Sequence, residues 1–305
     1  MTLDDILSRP QFRRNAVFAL LLSIFGLACT RYLILPIFEA QLKATPSQFL
    51  AKILEDLSTS ITVTFVISII VWWLTPKSAE NAKVIVLDAS ELKREFKSAL
   101  DRSDSWWFYG GCGRYFRSAV LSTMASRATA DSSNKSLRAI ILDPGNARLC
   151  EQHADYRAAT SQGRNDGNWT TSRVKCELLA TIVLCLRTQQ SNGLLHLQIS
   201  VSDRFSTFRA DISNSSAIET REDPKAPALK CPESSDFYKA LKTEYEMLAR
   251  QSRQITDPDR VCRNVADVAS LKYAVEKLDL PGVTVTAAEY NTILALINDP
   301  KNPHG

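Results

Sequence analysis

The segment Leu194-Leu-His-Leu-Gln-Ile-Ser-Val-Ser-Asp203 places His196, Gln198 and Asp203 at the spacing H-x-Q-x4-D on a run that reads as a β-strand. Side chains alternate between faces along a strand, so His196, Gln198 and Ser200 share one face. An imidazole and a carboxylate at fixed spacing suit work on a bound ligand. The competing reading is a hydrogen-bonded, catalytically idle histidine on a half-buried strand. A second group is Gly110, Gly111 and Gly113, which leave backbone N–H groups open just before a helix start, with Arg114 and Arg117 in its first turn. Such a corner can dock a phosphate-bearing ligand. Its spacing is neither of the common nucleotide-loop patterns, and a plain tight turn explains it too. The polar loop Ser161-Gln-Gly-Arg-Asn-Asp-Gly-Asn168 adds Arg157, Arg164 and Arg173 as nearby cations. The candidate ligand-binding set is therefore Gly110, Gly111, Arg114, Arg117, Arg157 and Arg173.

The H-x-Q-x4-D segment resembles the H-x-K-x4-D signature of the phospholipase D superfamily. The resemblance implies that His196 would be the nucleophile toward a phosphodiester, supported by Asp203, with the residue at 198 binding phosphate. Neutral Gln198 stands where the family has lysine, so the cation that holds developing phosphate charge is missing. Arg204, Arg209 or Arg173 would have to replace it. Asp211-Ile-Ser-Asn214 is the nearest match to the family's downstream G-S-x-N element, with its serine one residue out of place. Trp107-Phe-Tyr-Gly-Gly-Cys-Gly-Arg114 and Leu137-Arg-Ala-Ile-Ile-Leu-Asp-Pro144 look like the opening βαβ unit of such domains, and the resemblance covers about residues 81 to 252. It implies a phospholipase-D-like fold, with a binding domain expected rather than an enzyme.

The elements that must hold these residues emerge from periodicity. Strands are expected at 84–87, 106–109, 137–142, 194–201 and 205–212. Helices are expected at 91–101, 114–127, 146–157, 171–189, 236–251, 259–278 and 287–298. In the 171–189 helix, Val174, Leu178, Ile182 and Leu186 form one apolar stripe. Alternating strands and helices predict an α/β fold with a mixed sheet over residues 81–254, then a helical extension over 255–305.

Upstream, apolar runs at about 15–37 and 57–74 predict a two-helix transmembrane hairpin within residues 1–80. Arg9, Arg13 and Arg14 precede the first run, and Lys77 and Lys83 lie beyond the second. That pattern predicts a multi-pass inner-membrane protein with cytoplasmic termini. A cleaved signal peptide ending near Cys29 is the weaker alternative. Ser58, Thr59, Ser60, Thr62, Thr64 and Ser68 make the second run polar and suited to helix association, hence a homo-oligomer.

The chain has 305 residues, and its 37 basic and 33 acidic side chains leave a formal charge of +4, too mild to announce nucleic acid. Seven scattered cysteines without a C-x-x-C pair point to a reduced compartment and no structural zinc. No cofactor or metal motif stands out. A hairpin joined to a sensor-like domain resembles the membrane effectors of bacterial anti-phage systems, retrons and cyclic-oligonucleotide operons. That resemblance implies that the cytosolic domain senses a signal or partner release and the hairpins disrupt the inner membrane, with a lipid bilayer as partner and a nucleotide signal or a partner protein from a reverse transcriptase or nucleotidyltransferase system as trigger. The alternatives are a membrane-anchored phospholipase-D-like hydrolase of lipid or nucleic acid, its site built from two chains, and a plain membrane tether.

Overall fold

The computed structural model describes residues 45–74, 83–161, 167–223 and 225–300, with Leu22, Phe25, Gly26 and Cys29 as single positions. It divides into two compact units, Met1–Ala79 and Glu80–Gly305.

In the first unit the described element is helix α1, Thr45–Leu74. Among the described residues no helix is long and apolar enough to cross a membrane. That finding overturns the expected transmembrane hairpin, and with it the multi-pass inner-membrane localisation. Lys52 and Asp56 stand within α1, and hydroxyl residues interrupt the apolar run beyond them. Thr62, Thr64 and Ser68 turn their hydroxyls back onto the carbonyls of Ser58, Ser60 and Thr64 at 2.7, 2.8 and 2.7 Å. The expected first span, 15–37, lies outside the described residues apart from the four single positions.

The second unit is built on an eight-stranded mixed sheet. Its strands are β1 (Ile85–Leu87), β2 (Ser105–Tyr109), β3 (Lys135–Leu142), β4 (Leu195–Ser202), β5 (Phe208–Ser213), β6 (Ser216–Arg221), β7 (Ala228–Pro232) and β8 (Arg253–Ile255). They lie in the order β1-β7-β6-β5-β2-β3-β4-β8, with β2, β3 and β4 parallel and every other pairing antiparallel. The helices are α2 (Ala89–Asp101), α3 (Leu121–Ala130), α4 (Ala147–Ala159), α5 (Thr171–Ser191), α6 (Asp236–Gln251), α7 (Val268–Lys277) and α8 (Ala287–Asn298).

Period-two alternation divides the sheet's side chains between two cores. Trp106, Phe108, Leu137, Ile141, Leu197 and Ile199 pack with Phe96 of α2, Met124 of α3, Leu149 of α4 and Leu178 of α5. Ile140, Ala210 and Ile212 pack on the other face against Tyr238, Tyr245 and Leu248 of α6. Helix α5 is enclosed because α8 and the 3-10 turn Val261–Asn264 pack on it and α7 packs on both, which is why Leu271, Ala274, Ile293 and Ile297 share the larger core. The C-terminal helices are also tied down by polar contacts. Glu289 accepts from Ser172 at 2.6 Å and pairs with Lys175 at 2.8 Å. These contacts outweigh burial and hold its carboxyl down at about 2.

Several elements differ from expectation, among them the short strand Arg253–Ile255, which pairs with β4. Ser216–Arg221 comes two residues after β5, across Asn214-Ser215, as the second strand of a short hairpin. Ala228–Pro232, expected as part of a Pro-rich loop, takes its extended shape from ladders to β6 and β1. The long helix expected over 259–278 is broken. A 3-10 turn, Val261–Asn264, precedes α7, and Asp267 caps α7 by accepting from Ser270 N at 2.8 Å.

Candidate functional site

The sheet builds outward from β2 in both directions, β3 and β4 on one side and β5 to β7 on the other, and the carboxyl ends of strands at such a reversal of order are where open α/β sheets bind ligands. After Tyr109 the chain turns through Gly110 to Gly113. Gly110 N donates to Ile140 O at 3.1 Å and Leu142 N to Gly111 O at 3.3 Å, pinning the turn to β3. Gly113 has φ +68 and starts a helical turn whose π segment, Phe116–Val120, leads into α3. The π segment turns Arg117 inward. Its side chain is 1% exposed and donates to the Glu177 carboxylate at 2.5 Å, the Glu177 carbonyl at 2.8 Å and Thr181 Oγ1 at 3.0 Å. The other Glu177 oxygen lies 3.5 Å from Arg114 Nε, so one buried carboxylate positions both cations.

Trp169, just before α5, collects guanidinium groups on its ring: Arg173 at 4.3 Å, Arg157 at 4.5 Å and Arg114 at 5.5 Å from the centroid. The face of an indole attracts cations, which is what lets them gather here. Trp169 is 7% exposed, and its indole N–H has no acceptor among the described residues.

Below this layer, α4 contributes His153 and Arg157, and the end of β6 leads to Glu222. Arg157 Nη1 lies 3.0 Å from the Glu222 carboxylate and donates to the Glu222 carbonyl at 3.0 Å. His153 Nε2 stands 3.5 Å from Glu222 Oε2. Burial pushes the His153 imidazole below its ordinary value, against the pull of Glu222. For Glu222 burial alone would raise the carboxyl; His153, Arg157, Arg209 and Arg114 together outweigh it and hold the group below its ordinary value. Gly111 makes room for His153 and Glu222. A Cβ there would overlap His153 Cε1 and stand 2.7 Å from Glu222 Oε1. Arg209 of β5 completes the ring, its Nε donating to Thr220 Oγ1 at 2.6 Å. Among the described residues, Arg114, Arg117, Arg157, Arg173 and Arg209 thus lie in one region with Glu177 and Glu222. Guanidinium groups gathered in this way suit an oxyanion.

The structure brings Gly111, Arg114, Arg117, Arg157 and Arg173 together, with Gly110 packed against Arg209 Cβ in the same turn. Arg164 lies outside the described residues. The structure does not bring together His196, Gln198 and Asp203. His196 is exposed at the start of β4, on an open cavity of about 430 Å³ lined by Gln190, Asn192, Gln254, Asp257 and Arg260. Gln198 shares its face and donates to Gln254 Oε1 at 3.4 Å. Asp203 lies just past the opposite end of β4 and accepts from Asn146 Nδ2 at 3.0 Å. Seven residues of strand separate His196 from Asp203, roughly 23 Å.

Sequence reasoning did not single out Trp169, Glu177, Glu222 or His153. None of them falls in a recognisable ligand-binding motif. Arg209, named only as a stand-in for the missing lysine, does join the cluster.

No family model matches the chain and no curated protein does. Two solved structures are similar in outline. One is TrmBL2, an archaeal chromatin protein whose structure shows a novel mode of DNA binding. It has 9% identity, with 68% of this chain and 66% of that one covered, at a TM-score of 0.30. The other is Nuc, a phospholipase D family member from Salmonella typhimurium. It has 10% identity, with 57% and 99% covered, at a TM-score of 0.32. At these scores the similarity to a phospholipase D family member is weak.

Proposed function

We propose that the Glu80–Gly305 unit is a binding domain for a phosphate-bearing small molecule, of the nucleotide class, held at the arginine cluster and not hydrolysed there. The observation that carries this is Trp169. Three guanidinium groups lie on its ring while its buried indole N–H has no acceptor among the described residues. A phosphate supplies both a negative charge for the cations and oxygen atoms for the indole donor, and guanidinium groups match its geometry.

Binding without hydrolysis is argued from His153. It is the histidine of the cluster, it is 1% exposed, and Gly111, Trp169, Phe205 and Tyr156 wall its ring, so no face is open to in-line attack on phosphorus. Within an anti-phage system such a domain would read the nucleotide signal.

The test is calorimetric titration of the full chain with inorganic pyrophosphate and with ATP. Binding should weaken about tenfold in Arg157→Ala and in Arg173→Ala, each removing one charged contact. Absence of binding, or an affinity that neither substitution changes, would sink the reading.

A further inference from the structure

The cluster already contains an anion of its own. Glu222 places its carboxylate between Arg157 and His153, against the Gly111 backbone and within the field of Arg209 and Arg114. We propose that this carboxylate is an internal surrogate for the ligand's phosphate, which enters the site by displacing it. The inference rests on the phosphate-binding reading above and adds how that site is regulated and what charge its ligand must carry.

Three features separate a surrogate from a fixed structural ion pair. First, Glu222 stands just beyond the last paired residue of β6, Arg221, so no ladder bond fixes its own backbone. Second, Arg157 holds the Glu222 carbonyl as well as its carboxylate, each at 3.0 Å. When the side chain swings away, the carbonyl contact still positions the guanidinium for an incoming phosphate. Third, the Glu222 side chain is 12% exposed and Arg114 beside it 15%, whereas Glu177 and Arg117 are sealed at 3% and 1%. Of the two carboxylates in the cluster, Glu222 is the one with a route to water.

Carboxylate and phosphate are both oxyanions and use the same guanidinium donors. The ligand therefore has to outbid a resident single negative charge. A phosphodiester, with one charge per phosphorus, gains little by the exchange. A terminal phosphate or a pyrophosphate, with two or more charges on neighbouring oxygens, gains the difference. The ligand class is thus a phosphate group more highly charged than a diester.

The test is titration of the full chain with two probes, inorganic pyrophosphate and dimethyl phosphate. Wild type should bind pyrophosphate and not dimethyl phosphate. Glu222→Gln removes the competing charge and should bind pyrophosphate about tenfold tighter, with dimethyl phosphate binding now measurable. Glu222→Asp keeps the charge but draws it back by one methylene, and should fall between. Thermal unfolding checks that each variant is folded, and if the Gln variant is not, the Asp variant alone must still bind more tightly than wild type. Wild-type binding with unchanged or weaker affinity in the folded variants overturns the surrogate and leaves the phosphate site standing. No pyrophosphate binding by any of the three proteins overturns both.

Discussion

The two ends of the parallel strands hold the two candidate sites, and they are organised differently. At the amino end, His196 sits exposed on an open polar cavity, and its motif partners are spread along β4. At the carboxyl end, residues from β2, β5, β6, α4, α5 and the connecting turns converge on Trp169 and Glu222. A linear motif puts residues at a spacing along one strand, where a ladder keeps them apart. Chemistry needs them at a point, and points in an α/β sheet form where several connections meet. The contrast teaches that several charges are taken out of water together at the carboxyl end, around Glu177 and Glu222, which is where losing a side chain should be felt.

The largest effect is expected at Arg117. Its partners are the Glu177 carboxylate and carbonyl and Thr181, all buried. Arg117→Ala strands the Glu177 charge in the core and should destabilise the domain by about 3–5 kcal/mol. Urea unfolding measures it, and a loss below about 1 kcal/mol would remove the claim that this end is held by a buried ion pair.

Asp211 sharpens the same comparison through pH. It faces Trp106 on the larger core, accepts from the indole Nε1 at 2.9 Å and is 2% exposed. Burial pushes its carboxyl up to about 6, against the opposing pull of Arg209 and of the Trp106 hydrogen bond. An unfolded aspartate titrates near about 3.9, so the folded state binds more protons between the two values. Stability therefore falls as pH rises from about 4 to about 6, by about 2–3 kcal/mol, and stays lower above that. Asp211→Asn keeps an acceptor for Trp106 and removes the charge. It should be more stable than wild type at about pH 8 by that amount and equal to it at about pH 4. Identical pH profiles for the two proteins would show that Asp211 does not carry the penalty.

How much of this was legible depends on how local each feature is. The stripe Val174, Leu178, Ile182 and Leu186 announces α5, and all four are buried. The glycine turn and its two arginines lie within one stretch, so a candidate phosphate corner could be suspected from residues 110–117 alone. Glu222 and His153 could not, because the contact between them joins distant parts of the chain and is made beyond a strand, β6, whose six residues carry no decisive pattern. Strand β7 was hidden for a related reason. Ala228–Pro232 becomes extended through its neighbours and not through its own propensities. The apolar run at 57–74 was legible as a helix, and a helix is what forms there, but among the described residues no helix is long and apolar enough to cross a membrane.

Two glycines set the ends of the sheet against each other directly. A methyl group at Gly111 would overlap His153 and crowd Glu222, whereas one at Gly193, close to His196, would meet nothing within 4 Å. Gly111→Ala should cost about 1–3 kcal/mol from overpacking. Gly193→Ala should be neutral or gain roughly 0.4 kcal/mol or more through the unfolded chain. Equal effects of the two, by thermal unfolding, would erase the distinction between a packed end and an open one.

The smallest effect is expected at His196, and it is the most direct attempt to restore the linear motif as the site. His196 is exposed, so His196→Ala should change stability by less than about 0.5 kcal/mol. It should also leave pyrophosphate affinity untouched, because the cluster lies at the other end of the strands. Gln198→Lys rebuilds the family spacing, H-x-K-x4-D, on β4. It should nevertheless hydrolyse bis(p-nitrophenyl) phosphate no faster than wild type. Lysine supplies the missing cation, yet Asp203 remains bonded to Asn146 at the far end of the strand, where it cannot support the imidazole. Hydrolysis that appears in Gln198→Lys and disappears again in the double variant with His196→Ala would return catalysis to β4 and make the arginine cluster the lesser of the two sites.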